Sequence, residues 1–363
     1  MKFQPVHLLS LVLIGIFSFF TEYYKTPKSR GYKYLQQKKE YQKNDQHKKP
    51  PSGFYGFQYW HFFKNYASLY FFEYIKISPF IRSIFMKQSV YTGKGIGVVL
   101  LDTGIYPHMD FGDRIYAFAD FISYRTFPYD DNGHGTCVAG ILGGSGEASM
   151  GKYKGMAPGC FLISLKVLDR FGNGNKEDIL AAFRWIENHR EEYKIRIVNI
   201  SVGTTYKTRS DKDVLVRGVE ALWDQGLVVV AAAGNRGPEP GSITAPGCSK
   251  KVITVGSSDM LLGKTAISGR GPTFECVCKP DLVAPGRRIM ACAPGVGNTY
   301  AMKSGTSMST PVISGAAALA LEKDPMLTNV DIKMMLRDSA DDLGLSRNQQ
   351  GWGKFNCKKF LSL

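Results

Sequence analysis

The sequence predicts an α/β domain with a three-layer, doubly wound and mostly parallel sheet. Two observations carry this. Short runs rich in Val and Ile recur along the chain and end in glycine or a polar residue, and amphipathic stretches of helical period alternate with them. Runs without strict alternation belong to strands covered on both faces. Alternation with helices then implies crossovers on both sides of one sheet, with functional groups at the carboxyl ends of its strands.

The strand candidates, in order, are "GIGVVLLD" (95–102), "CFLISLKVL" (160–168), "IRIVNISVG" (195–203), "GLVVVAAAGN" (226–235) and "KVITVGSSD" (251–259). Between them, "KEDILAAFRWIENHR" (176–190) places Ile179, Leu180, Phe183 and Ile186 on one helical face. "DKDVLVRGVEALWDQG" (211–226) does the same with Val214, Leu215, Val219 and Leu222, and Gly226 stops it. "NVDIKMMLRDSADDLG" (329–344) closes the series.

The first quarter of the chain has a different texture. Residues 8–20, "LLSLVLIGIFSFF", are a 13-residue apolar run. That is short against the ~20 residues of a membrane span and fits the core of an export signal. Lysines crowd its far flank and no small-residue cleavage site follows, so an uncleaved anchor is an equal reading of residues 1–24. The chain is expected to be membrane-anchored or secreted, with the cytoplasmic face left open. Residues 25–53 read as a basic linker ending in Pro50-Pro51. Residues 54–84 are an aromatic-rich segment of unassigned role, with twelve aromatics between 54 and 74.

Charge and cysteines narrow the function classes. The formal charge of +15 is uneven: residues 1–90 hold 14 Lys/Arg against 4 Asp/Glu, and the rest hold 32 against 27. The basic excess is therefore a property of the tail, which suits a spacer or a patch drawn to anionic lipid better than a nucleic-acid reading surface. No nucleic-acid partner is expected. Seven irregularly spaced cysteines, with Cys276 and Cys278 too close for a zinc knuckle, are expected to be free thiols.

Four residues carry candidate chemistry. Asp102 ends the first strand. His134 sits between glycines in "DDNGHGTCVAGILGG" (130–144), before a helix of small residues. Asn235 follows a strand and a glycine. Ser307 lies in "MKSGTSMSTPVISGAAALAL" (302–321), where Pro311 marks a helix beginning near 306–308. That start gives Ser307 the positive end of a helix and free N–H groups for a developing oxyanion. Ser304 lies outside this end and Ser309 further in, so position favours Ser307. A nucleophilic serine needs a base, the base an orienting carboxylate, and the intermediate its donors. The chain offers one residue for each.

In their order and spacing, "VVLLDTGI", "NGHGT", "SVG", "AAAGN", "KPDLVAPG" and "SGTSMSTP" resemble the subtilisin-like (subtilase) serine peptidases over roughly residues 85–355. The resemblance implies a subtilisin-like fold over 85–363 and a serine endopeptidase working through an acyl-enzyme. In it Asp102 orients the base, His134 is general base and acid, Ser307 is the nucleophile and Asn235 donates to the oxyanion. It also implies that Ser201, Val202 and Gly203 face Gly172, Asn173 and Gly174 across a protein or peptide substrate held as an added strand. Thr244 and Arg236 are assigned to the first specificity pocket, where Arg236 would favour acidic side chains before the scissile bond. Pro246 falls where the family often has a cis proline.

Departures from the family pattern shape further expectations. Cys137 replaces a histidine common three residues after the base, which suggests sensitivity to oxidants or mercurials. Loop 143–159 lacks the Asn-rich form that binds calcium in secreted members. Asp110 alone is a poor site for an ion that takes about six to eight oxygens. No cofactor or metal is expected to be required, and calcium is weakly supported. The N-terminal segment does not look like the family's inhibitory pro-domain. A monomer is expected, with the N-terminus offering membrane association. Two alternatives stay open: a peptide-processing or macrocyclising transpeptidase sharing the acyl-enzyme, and an inactive subtilase fold kept for binding.

Overall fold

Strands β1 (Gly97–Asp102), β2 (Ile115–Asp120) and β3 (Phe161–Lys166) begin the sheet, with helix α1 (His134–Gly143) inserted between β2 and β3. Then come α2 (Lys176–His189), β4 (Ile195–Ile200), α3 (Val214–Asp224), β5 (Val228–Ala232), β6 (Ile253–Ser257) and β7 (Leu282–Ala284). A hairpin of β8 (Ile289–Cys292) and β9 (Tyr300–Lys303) leads into α4 (Thr306–Lys323), followed by α5 (Asn329–Ser339) and the short α6 (Arg347–Gln350) and α7 (Cys357–Ser362). This computed structural model describes residues 90–203 and 213–363. The expectations for residues 1–24, 25–53 and 54–84 lie outside the described residues.

The sheet runs β2-β3-β1-β4-β5-β6-β7, and every neighbouring pair is parallel. Its central strands are the sequence's continuous apolar runs. All six residues of β1 and all five of β5 are buried, as sheets covered on both faces require. From β1 the chain goes to β2 and β3 on one side and to β4 and beyond on the other. The strand order thus reverses beside β1, where open α/β sheets place their ligands.

Helices α2 and α3 pack on each other and against β1 and β5, while α1 and α4 pair with each other and against the sheet. The outer pair is amphipathic and capped by side chains. Asn175 accepts from the Asp178 N–H, and Asp213 from the Leu215 N–H. On α3 the buried face is Leu215, Val216, Val219, Leu222 and Trp223; Val214, the first helical residue, is only half-buried. Helix α5 ends at Ser339 instead of 344, because Asp341 leaves it to exchange backbone hydrogen bonds with Lys354.

Helix α4 runs through the core, almost wholly buried and built of small residues. A Cβ at Gly315 would come within 2.6 Å of Met156 Cβ, so its close approach to neighbouring chain depends on glycine. Pro311 lies inside this helix and has no N–H to give the carbonyl of Ser307 one turn back. That orphaned carbonyl shapes the site.

Candidate active site

Asp102, the last residue of β1, is fully buried. Its Oδ1 accepts from His134 Nδ1 at 2.7 Å and from the Thr103 N–H at 2.8 Å. A donating Nδ1–H leaves the other ring nitrogen, Nε2, as the free base. Burial pulls the imidazole pKa down, but the charge of Asp102 and its hydrogen bond outweigh that and leave it raised. A quarter of the His134 side chain is exposed, so the ring is held from behind and open in front.

The glycines around His134 have separate reasons. Gly133 caps α1 with φ of 88°, the left-handed region that suits glycine. A Cβ at Gly135 would lie 2.1 Å from the Gly104 carbonyl oxygen, where β1 leaves the sheet. The corner is then fixed by Asp130, which the sequence reading did not single out. Its Oδ1 accepts from Thr103 Oγ1 and the N–H groups of Asn132 and Gly133, and its Oδ2 from the Thr136 N–H and hydroxyl. Burial pushes this carboxyl up, but these donors hold it below the usual carboxylate range. Lys166, at the end of β3, is also buried and donates to the carbonyls of Thr103 and Leu168 and to Asp131.

Ser307 is the second residue of α4. Its hydroxyl donates to the Ser201 carbonyl at 2.9 Å. Its own carbonyl, freed by Pro311, accepts from Ser201 Oγ at 3.1 Å. Ser201 is held in turn by Asn199 Nδ2, and Asn199 Oδ1 accepts from Ser314. A buried polar chain therefore ties the end of β4 to the start of α4. Asn199 and Ser314 were also missed; their pairing across 115 residues leaves no local signal.

Asn235 lies three residues past β5. Its Oδ1 accepts from the N–H (2.9 Å) and hydroxyl (3.1 Å) of Thr306, which turns its amide NH₂ away from the helix start. Ser201 is buried, Val202 half-buried and Gly203 exposed. Gly172, Asn173 and Gly174 are exposed on a turn closed by Asp169, and the Asn132 side chain links this turn to the His134 corner through the Arg170 carbonyl. Thr244 is buried between Gly203 and Gly234, either of which would put a Cβ 2.5 Å from its hydroxyl. Arg236 is exposed beside Asn235. The Ala245-Pro246 bond is cis, as expected.

Two expectations need revision or closer reading. Cys137 is fully buried against Met308, with Sγ 3.6 Å from its sulfur, and burial pushes the thiol up to about 12. A protonated, inaccessible thiol gives no basis for the oxidant or mercurial sensitivity expected there. All seven cysteines are unpaired, in line with the free-thiol reading. The second point concerns Asp110, which does not stand alone: His108, Asp110 and Cys292 bring ligand-type atoms within 4.8 Å of one another.

Those atoms are already engaged. Asp110 Oδ1 accepts from the Ala148 N–H, and Oδ2 from the Tyr300 hydroxyl (2.7 Å) and the Cys292 thiol (3.4 Å). His108 Nδ1 accepts from the Asp110 N–H, and Nε2 faces the Thr299 carbonyl. Burial, then the charge of Asp110, pushes the Cys292 thiol up, so it stays a donor. The Arg114 guanidinium binds the Asp110 and Gly143 carbonyls. These residues do not fit a calcium ion. Tyr300→Phe, which removes a donor to a buried carboxylate, should lower stability by about 1–3 kcal/mol. Because the cluster holds no calcium, that loss is expected to be the same in excess calcium and in excess EDTA; a loss that calcium abolishes would contradict this.

Known proteins resemble this chain in sequence and in fold. The model of the subtilase family matches residues 93–353. The serine protease AprX of Bacillus subtilis (strain 168) is 42% identical over 276 residues, 69% of this chain and 62% of AprX, so the chain spans less than two thirds of that relative. Subtilisin Savinase of Lederbergia lenta is 36% identical over 267 residues, 74% of this chain and 91% of Savinase. Among solved structures, Sphericase superposes with a TM-score of 0.62 at 27% identity, over 76% of this chain and 96% of its own. A structure titled S41 Psychrophilic Protease gives 0.63 at 28%, with the same coverage.

Proposed function

The chain belongs to the subtilase family, and on that footing we propose that it is a serine endopeptidase in which Ser307 attacks the peptide carbonyl, His134 moves the proton and Asp102 orients His134. The observation that carries the reading is the 2.7 Å bond from His134 Nδ1 to a buried Asp102. It selects the tautomer with a basic Nε2 and stabilises the imidazolium formed on attack.

The steps follow from the placements. An extended peptide lies between Ser201–Gly203 and Gly172–Gly174, its backbone adding a strand. The Ser307 hydroxyl turns from the Ser201 carbonyl to His134 and gives up its proton as Oγ bonds to the scissile carbon. The carbonyl oxygen, now an oxyanion, receives hydrogen bonds from the Asn235 amide and the Ser307 N–H at the positive end of α4. His134 returns the proton to the leaving amine, and the carbon–nitrogen bond breaks. A water deprotonated by the same ring then hydrolyses the acyl-enzyme. Thr244 and Arg236 border the pocket for the side chain before the scissile bond, where Arg236 favours acid.

Among the described residues no helix is long and apolar enough to cross a membrane. Residues 1–24 are read as exporting or anchoring the chain; a relative 33% identical over 262 residues, 37% of its own length, is named the minor extracellular protease Epr of Bacillus subtilis (strain 168).

Mass analysis of a defined peptide set, digested across a range of pH, tests the reading. Hydrolysed fragments are expected, with kcat/KM rising through a pKa above the ordinary histidine value of about 6.5, since only the free base accepts the proton. Joined or cyclised products in place of fragments would transfer the assignment to the transpeptidase. Preference for Lys or Arg before the cleaved bond would remove Arg236 from the pocket.

A further inference from the structure

Near the base stands a half-buried cation that, among the described residues, has no acid to pair it. Lys303 ends β9, four residues before Ser307. Its position is imposed by the hairpin, where it pairs with Ile289. The hairpin is seated against α1: Cys292 lies under Gly140, and Pro294 meets Gly133, the residue before His134. The positive charge of Lys303 acts on both His134 and the buried Cys137, pulling each pKa downward against other influences.

Two further cations lead into the same hairpin. Arg287 and Arg288 are exposed, and the Arg288 backbone N–H holds Ser304 Oγ at 2.9 Å. The Arg288 guanidinium meets the sulfur of Met302 at 3.5 Å. The carboxylates nearby are committed elsewhere. Asp102 serves His134 and the Thr103 N–H. Asp130 serves the His134 corner. Asp259 accepts from Ser257 and from the backbone N–H groups of Gly286 and Arg287. Among the described residues, no carboxylate lies within ion-pair reach of Lys303, Arg287 or Arg288. A cation drawn partly out of water without a counter-charge is unfavourable unless a ligand brings one.

Ser201 reaches Ser307 from the end of β4. The hairpin reaches the site at His134, through the contact of Pro294 with Gly133, and on the peptidase reading that ring is the one that protonates the leaving amine. Resting on the peptidase reading, we propose that Lys303, backed by Arg287 and Arg288, receives a carboxylate on the leaving-group side of the scissile bond, so that preferred substrates are peptides with Asp or Glu just after the cleaved bond. A carboxylate there also offsets the repulsion between Lys303 and the imidazolium as it forms.

The test uses the full chain and peptides identical except for Glu, Gln or Lys immediately after the cleaved bond. The readout is the ratio of kcat/KM values within each enzyme. Glu is expected to exceed Lys by about 10-fold or more at low ionic strength, with Gln between and the ratio shrinking as salt is added. Lys303→Glu should invert the order and Lys303→Met flatten it; the salt series on the unaltered protein stands independently of how the variants fold. A flat or Lys-preferring profile, or a Glu preference that survives Lys303→Glu, overturns the proposal. Fluorophosphonate labelling is run in parallel. A labelled Ser307 with a flat profile rejects this inference alone, whereas an unlabelled Ser307 rejects the peptidase reading and this proposal with it.

Discussion

Ser307→Ala and His134→Ala are each expected to lower kcat on a peptide substrate by about 10⁶-fold, and the double variant by no more than either alone. The magnitude is taken from subtilisin, a relative of this chain, where either loss costs about 2 × 10⁶ in kcat. Non-additivity follows from the proposed mechanism: every step that His134 assists runs through Ser307 or the acyl-enzyme it forms, so once one is gone the other has nothing to do. Asp102→Ala is expected to do less damage, by the same precedent about 3 × 10⁴, because the imidazole keeps part of its function without its anchor. Steady-state kinetics of the three single variants and the pair decide the matter. Losses below about 100-fold, or multiplying in the double variant, would show that the residues do not work as one unit.

Asn235→Leu should lower kcat by about 10²–10³ while leaving KM nearly unchanged; the figure again comes from subtilisin, where it is the cost of removing one oxyanion donor. The structural reason is how Thr306 holds the amide. With Oδ1 occupied by the Thr306 N–H and hydroxyl, the NH₂ group is turned away from the helix start, and on the proposed mechanism it donates without reorganisation where negative charge develops. A donor needed only for the oxyanion changes kcat and not substrate affinity. A loss appearing in KM with kcat preserved would mean that Asn235 grips the ground-state substrate instead.

The parts of this molecule visible in the sequence are those whose signal is local. Strands β1, β3, β4, β5 and β6 were legible because burial on both faces leaves each dominated by Val, Ile, Leu and Ala, with few polar residues. Edge strand β2 was not, being only partly buried and without a Val/Ile/Leu run, nor were the three-residue β7 and the β8–β9 hairpin, whose short strands carry no periodicity to detect. Asp102, His134, Asn235 and Ser307 could be picked out because each sits where a strand ends or a helix begins. Their supports could not. Asp130, Asn199 and Ser314 are single polar residues whose meaning depends on partners distant in the chain.

The same distance limit hid the surroundings of Asp110 and Cys137. Tyr300 closes Asp110 from 190 residues away, so Asp110 read as an isolated carboxylate. Cys137 adjoins the base in sequence, yet the helical turn that exposes the imidazole directs the thiol into the core against Met308. Proximity along the chain did not become exposure at the site.

The most direct test of the central claim is reaction of the full chain with a fluorophosphonate probe, followed by mapping of the modified peptide. The account predicts a single label on Ser307, lost in Ser307→Ala and in His134→Ala while both variants keep the native circular dichroism spectrum. A label on another serine, or none on protein that is demonstrably folded, would contradict it.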